Sequence, residues 1–243
     1  MKLHYSIGIM LIFSLYSCES KVGQKSQESP VETQAYSLTE AEKAAGWELM
    51  FDGKTTEGWH TYLEAGVSGW KVVDGALRTE GGNGDLVSND TYENFELELE
   101  WKIDEKGNSG IIYLVDEKEE NKATYVSGPE YQIIDNENYP SPLNGTQLSG
   151  ANYALHPPII SASNPAGEFN HTRLSVLNGE VEHWLNGKKV VSYTLWTPEW
   201  EAIVDTTKFG KIPTYGRTKK GKIAFQDHGD GVSFRNIRIR KRE

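Results

Sequence analysis

The chain has 243 residues and a formal charge of −10, a length that suits one large domain or two small ones. So acidic a surface repels phosphate backbones and argues against nucleic acid as a partner. Its one cysteine allows no intrachain disulfide, so the fold has to rest on a packed core. The seven Trp and twelve Tyr supply large apolar faces for it.

Lys2 gives a weak positive start, and residues 7–15 form an apolar run too short to span a bilayer. The run ends at Leu15-Tyr16-Ser17-Cys18, which has the form of a lipobox. This predicts a signal peptide over residues 1–18 with lipid on the sulfur and amine of Cys18. The chain is then exported and tied through Cys18 to a membrane of the bacterial cell envelope. Residues 19–36 are polar, with few apolar groups, and read as a flexible tether to a domain over residues 37–243.

Ser37-Leu38-Thr39-Glu40 has a capping-box pattern, Thr39 offers a second cap, and residues 40–45 predict a short helix stopped by Gly46. Beyond it the chain reads as strands and turns. Residues 70–73 and 76–78 flank Asp74-Gly75, the dipeptide of a tight hairpin. Residues 95–102 alternate Phe95, Leu97, Leu99 and Trp101 with Glu96, Glu98, Glu100 and Lys102, so one face meets a core and the other water. Residues 136–169 are rich in Asn, Pro, Gly and Ser, a long loop of the kind that carries function. Residues 173–177, 181–185 and 188–193, joined by Asn178-Gly179 and Asn186-Gly187, predict a meander. Thr197-Pro198-Glu199 starts a second short helix. Residues 222–227 and 232–240 are the last strands, joined across His228-Gly229-Asp230-Gly231. The sum is an all-β fold, a two-sheet sandwich or jelly roll with one or two short peripheral helices.

Strand parity sorts the polar candidates. Glu130 and Gln132 share a face, as do Gln226 and His228, and Ser109 and Tyr113. A carboxylate, an imidazole, two amides and a phenol lining one sheet make a sugar-binding set with acid–base capacity. The same pattern also fits a polar outer face with no function, and parity alone does not choose. His171 opens a predicted strand and His183 alternates with Trp184. Neither belongs to a pair with zinc-motif spacing. No cofactor is predicted, and a divalent metal held by distant His and Asp stays open. Glu96-x-Glu98-x-Glu100 invites comparison with glycosidases that carry their carboxylates along one strand. Those have Asp at the centre, so the solvated-face reading is preferred. Arg235 is read as pairing with a sandwich carboxylate, and Asp52 as shaping its turn with Gly53. Phosphate-binding loops, dinucleotide fingerprints and nucleophile elbows are missing from the sequence.

Ordered blocks run through the domain: Leu38-Thr39, Gly46-Trp47, Leu49 to Lys54, Gly58-Trp59, Gly69-Trp70 with Asp74-Gly75, Asn108-Ser109-Gly110-Ile111, and Glu130 to Asp135. They continue with Gly150 to Tyr153, Asn170-His171, Trp184 to Gly187, Lys208-Phe209, Gln226 to Gly229, and Phe234 to Ile237. Taken together, over nearly all of residues 38–241, they resemble the 3-keto-disaccharide hydrolase family. Phe169 stands where that family commonly has Trp, and Tyr113-Leu114 where many relatives place an Arg.

The resemblance implies a concanavalin A-like jelly roll. It also implies cleavage of 3-keto-glycosides, by hydrolysis or by 1,2-elimination followed by hydration. A ketone at C3 acidifies the C2 proton, so the route needs a base, donors for the enolate oxygen and an acid for the leaving oxygen. Glu130 or His228 is expected as base or acid, with His171 as a further acid–base candidate. Asn108, Tyr113, Gln132, Asp135, Tyr153 and Gln226 are the expected substrate contacts. The competing expectations are a non-catalytic carbohydrate-binding module, a structural lipoprotein domain, and a glycosidase that needs no prior oxidation.

Overall fold

The computed structural model describes residues 1, 2, 4 and 36–243. The chain separates into Met1–Glu32 and Thr33–Glu243, and the second unit carries the fold. The apolar run, Cys18 and the tether up to residue 35 lie outside the described residues. Tyr36, the last residue of the expected tether, accepts a hydrogen bond from Arg238 at 2.6 Å and so touches the domain.

Among the described residues the order is α1 (Glu40–Ala44), β1 (Trp47–Leu49), β2 (Trp59–Thr61), β3 (Lys71–Val73), β4 (Ala76–Thr79), β5 (Leu86–Ser88), β6 (Phe95–Ile103), β7 (Asn108–Val115) and β8 (Glu130–Ile134). There follow β9 (Asn170–Leu177), β10 (Glu180–Leu185), β11 (Lys188–Thr194), α2 (Pro198–Asp205), β12 (Lys222–Phe225) and β13 (Val232–Lys241). Two antiparallel sheets face each other as a jelly-roll sandwich. The larger runs β11-β10-β9-β6-β13-β4-β3, with β1 also on β13; the smaller runs β2-β5-β12-β7-β8.

Local chemistry explains these elements. Thr39, rather than Ser37, caps α1, in a reciprocal box with Glu42 (3.2 and 2.8 Å). Thr197 caps α2 ahead of Pro198. Asp74-Gly75, Asn178-Gly179 and Asn186-Gly187 all have positive φ at both residues (50/73°, 51/85° and 48/77°), the geometry whose twist suits a two-residue hairpin. The last two strands do not form a hairpin. β12 lies in the smaller sheet and β13 in the larger, so residues 226–231 cross from one layer to the other.

Between the sheets, Phe95, Leu97, Leu99 and Trp101 of β6 meet Ile111 and Tyr113 of β7 and Tyr131 and Ile133 of β8 in one buried cluster. Phe225 of β12 stacks on Phe234 of β13 at 4.2 Å, joining the layers by aromatic contact. The alternate residues of β6 point outward. There Glu100 pairs with Arg235 at 2.7 Å, Glu98 with Arg238 at 2.5 Å and Glu96 with Arg240 at 2.7 Å. Arg235 therefore does pair with a sandwich carboxylate. Asp52 accepts from the amides of Lys54 and Thr55 at 2.8 and 2.7 Å, which closes its turn.

Candidate active site

The outer face of the smaller sheet holds a cleft of about 200 Å³ lined by Asn108, Tyr125, Glu130, Gln132, Tyr153, Lys208, Phe209, Gln226 and His228. Its floor is made by parity. Tyr131 and Ile133 face the core, so Glu130 and Gln132 face out. Residues 226–230 are held beside them by the start of β7: the Gln226 amide donates to the Gly110 carbonyl at 2.9 Å, Ser109 Oγ donates to the Gln226 carbonyl at 2.8 Å, and the Asn108 amide donates to Asp230 at 3.0 Å. The long loop returns along the open edge of β8. Gly150 N and Tyr153 N donate to the carbonyls of Gln132 and Glu130 at 2.9 and 3.0 Å, which brings Tyr153 to the rim.

Glu130 is the electrostatic centre. It is 5% exposed, and burial pushes its carboxyl up to about 8; the charge of Lys208 pulls it down in part, while Asp85 pushes it further up. Among the described residues no hydrogen bond stabilises its charged form, which is why burial dominates. Gly110 makes room for it: a Cβ there would lie 2.5 Å from Glu130 Oε1. Lys208 Nζ stands 3.5 Å from the Tyr153 hydroxyl and 4.6 Å over that ring. Gln132 Nε2 donates to Asn108 Oδ1 at 3.2 Å. The Oε1 atoms of Gln132 and Gln226 are buried without a protein partner, an arrangement that costs free energy unless a ligand donor meets them. The exposed His228 completes the wall.

Of the expected site residues, the structure gathers Glu130, His228, Asn108, Gln132, Tyr153 and Gln226 in this cleft. The other three lie elsewhere. His171 is on β9 of the larger sheet, facing outward 3.8 Å from Glu98 on the far side of the sandwich. Tyr113 does share a face with Ser109, but that face is the core. Its ring is fully buried, and its hydroxyl lies 3.2 Å from His183 Nε2 and also meets the Tyr193 hydroxyl. Asp135 follows the end of β8, where its carboxylate accepts from the amides of Lys106, Glu137 and Asn138 at 2.8, 3.1 and 3.1 Å and fixes a turn. His183 is a core residue whose burial holds its imidazole down at about 3. Sequence reasoning gave no role to Tyr125, Lys208 or Phe209. The signal for two of them was the Lys208-Phe209 block, and Tyr125 had none.

Among the described residues, no group of three or more His, Cys, Asp or Glu side chains is placed to hold a metal ion. The cleft combines one buried carboxyl, one imidazole, one ammonium and three amides, which suits proton transfer on a polyhydroxylated ligand.

The sequence model of a 3-keto-alpha-glucoside-1,2-lyase-like domain matches residues 46–240. The chain belongs to this family. A 3-keto-disaccharide hydrolase of Bacteroides thetaiotaomicron is 35% identical over 271 residues, covering 93% of each chain. A crystal structure described as a candidate glycosyl hydrolase from Parabacteroides distasonis matches with a TM-score of 0.83 at 39% identity, covering 86% of this chain and 100% of that one. A second from the same organism matches at 0.63 and 29%, covering 81% and 99%. Family membership makes this chain a glycoside-cleaving enzyme.

Proposed function

We propose that the cleft cleaves glycosides already oxidised to a ketone at C3. Glu130 removes the C2 proton, and the electron pair moves into an enolate whose negative oxygen is on C3. Lys208 and the Asn108 amide stabilise that oxygen. The enolate re-forms the ketone, a C1–C2 double bond appears, and the C1–O bond breaks. His228 gives a proton to the departing oxygen. Water then adds across the double bond, hydroxyl to C1 and proton to C2, for a net hydrolysis. Gln132 and Gln226 accept hydrogen bonds from ring hydroxyls.

The observation that carries this reading is the buried, unpartnered Glu130 carboxyl, raised to about 8. Once ionised, such a group is a stronger base than a solvated carboxylate, and the acidified C2 proton calls for one. His228, at the more open wall, is the better placed proton donor for a leaving group. The test is release of the leaving alcohol from matched native and 3-keto glycosides. Only the oxidised substrate turns over on this reading, and equal turnover of the native glycoside rejects it. The steps use side chains alone, so a chelator leaves the rate unchanged; loss of activity on chelation would put a metal on the enolate oxygen in place of Lys208.

We also propose that the enzyme is exported and anchored by lipid on Cys18, supported by the position of that residue directly after the apolar run. Replacing Cys18 by Ser should release the protein from membranes, and unchanged membrane fractionation rejects the anchor.

A further inference from the structure

A second hollow of about 330 Å³ adjoins the first and shares Tyr125, Gln226 and His228 with it. Its own walls come from Tyr62, Gly84, Asp85, Lys122, Ala123 and Asp227. Glu130 and Lys208 line only the first lobe. The two lobes are therefore unequal in chemistry: one holds the base and the cation, the other has none of the proposed proton-abstracting machinery. His228 stands on the wall between them.

That wall is built deliberately firm. Asp85 takes a hydrogen bond from the Thr124 hydroxyl and another from the Asp227 amide at 2.8 Å. The first fixes the 3-10 turn Thr124–Val126, which carries Tyr125. The second fixes the residue before His228. Asp227 in turn accepts from the amides of Gly82, Asn83 and Gly229 at 2.8, 2.7 and 3.0 Å, so its carboxylate is occupied by the loop and serves position rather than ligand. Tyr125 is 42% exposed at the saddle, an aromatic face open to both lobes.

We infer that the second lobe is the subsite for the leaving group, which in a 3-keto-disaccharide is a sugar ring. The inference rests on the function proposed above and adds direction to it: the oxidised ring lies in the Glu130 lobe, and the departing ring lies in the Lys122 lobe. The scissile oxygen passes His228. Lys122 donates to hydroxyls of the departing ring, and Tyr125 offers it an apolar face, which is how a polar but partly apolar pyranose is held.

The experiment compares two substrates of the full-length enzyme, a 3-keto-disaccharide and the methyl 3-keto-glucoside, whose leaving group is too small to fill the second lobe. Two variants are used: Ala123→Trp, which fills the lobe, and Lys122→Ala, an exposed position whose loss leaves the fold intact. The expected result is that kcat/KM for the disaccharide falls about ten-fold more than that for the methyl glucoside, mostly through KM. Turnover of the methyl glucoside doubles as the control for folding. An equal fall for both substrates, or no fall for either, overturns the subsite while the proposed chemistry survives. If the wild type turns over neither 3-keto substrate, the chemistry fails and the subsite with it.

Discussion

Glu98 and Glu130 both point outward from the sandwich, one from each sheet, and their surroundings are opposite. Burial alone would raise Glu98, but the nearby His171 imidazole, 3.8 Å away, and the hydrogen bonds and charge of Arg238 hold it down at about 2. Glu130 has the burial without the partners, and it rises to about 8. On the larger sheet every carboxylate of β6 meets a guanidinium from β13. On the smaller sheet the carboxyl is left unpaired beside two orphaned amide oxygens. One face is electrostatically closed, and the other is open to a ligand. A charged residue on a sheet says little about function until its partners are known.

The comparison is sharpest when the two glutamates are neutralised in turn. Glu130→Gln should lower kcat on a 3-keto-disaccharide by about 10²–10⁴-fold, the range for losing a general base, while Glu98→Gln leaves kcat within about two-fold, as expected of a residue that touches no substrate. Comparable losses in both would erase the distinction. His228→Asn should cost about 10²-fold with a sugar leaving group and far less with a 4-nitrophenyl leaving group, which departs without a proton; an equal loss with both would take the acid role from His228. Gly110→Ala puts a methyl group where the Glu130 carboxyl sits, and a displaced base should lower kcat up to about 10²-fold. Unchanged kcat would mean that the carboxyl position is not critical.

The smallest effects are on stability, and they run in opposite directions with pH. Glu98, depressed in the fold, contributes stability above its ordinary value of 4.5 that is lost as pH falls through about 2. Glu98→Gln should therefore lower Tm at neutral pH and lose that penalty in acid. Glu130 is raised, so its contribution is complete below 4.5 and is lost as pH rises through about 8. Glu130→Gln should raise Tm at neutral and alkaline pH, with a gap that closes in acid. Parallel Tm curves for wild type and both variants would contradict the two environments.

Much of the fold was legible because its signals are local. Asn-Gly and Asp-Gly fixed three hairpins, Thr197-Pro198 opened α2, and the alternation over residues 95–102 separated core from surface. Parity also paired Glu130 with Gln132 correctly, and Gln226 and His228 do share the cleft, although both lie past the end of β12, where strand parity no longer applies. Parity tells which residues share a face, however, and not which sheet or which side of it. For that reason Tyr113 was expected in the cleft and lies in the core, and His171 was expected there and lies on the opposite sheet. Asp135 falls just past the end of its strand, where alternation stops and turn chemistry takes over. Tyr125 and Lys208 reach the site from short turns, and Asp85 lies just before β5. Their placement depends on tertiary packing, which no periodicity encodes.

The central claim is that the unpaired carboxyl removes the proton from C2. It is tested most directly with a 3-keto-disaccharide carrying deuterium at C2, turned over in ordinary water. The mechanism predicts that the 3-keto sugar product has lost the deuterium to solvent and, where chemistry limits the rate, that the labelled substrate reacts more slowly. A product that keeps its deuterium at C2 would mean that the C1–O bond breaks without that proton being touched, and Glu130 would not be the base proposed.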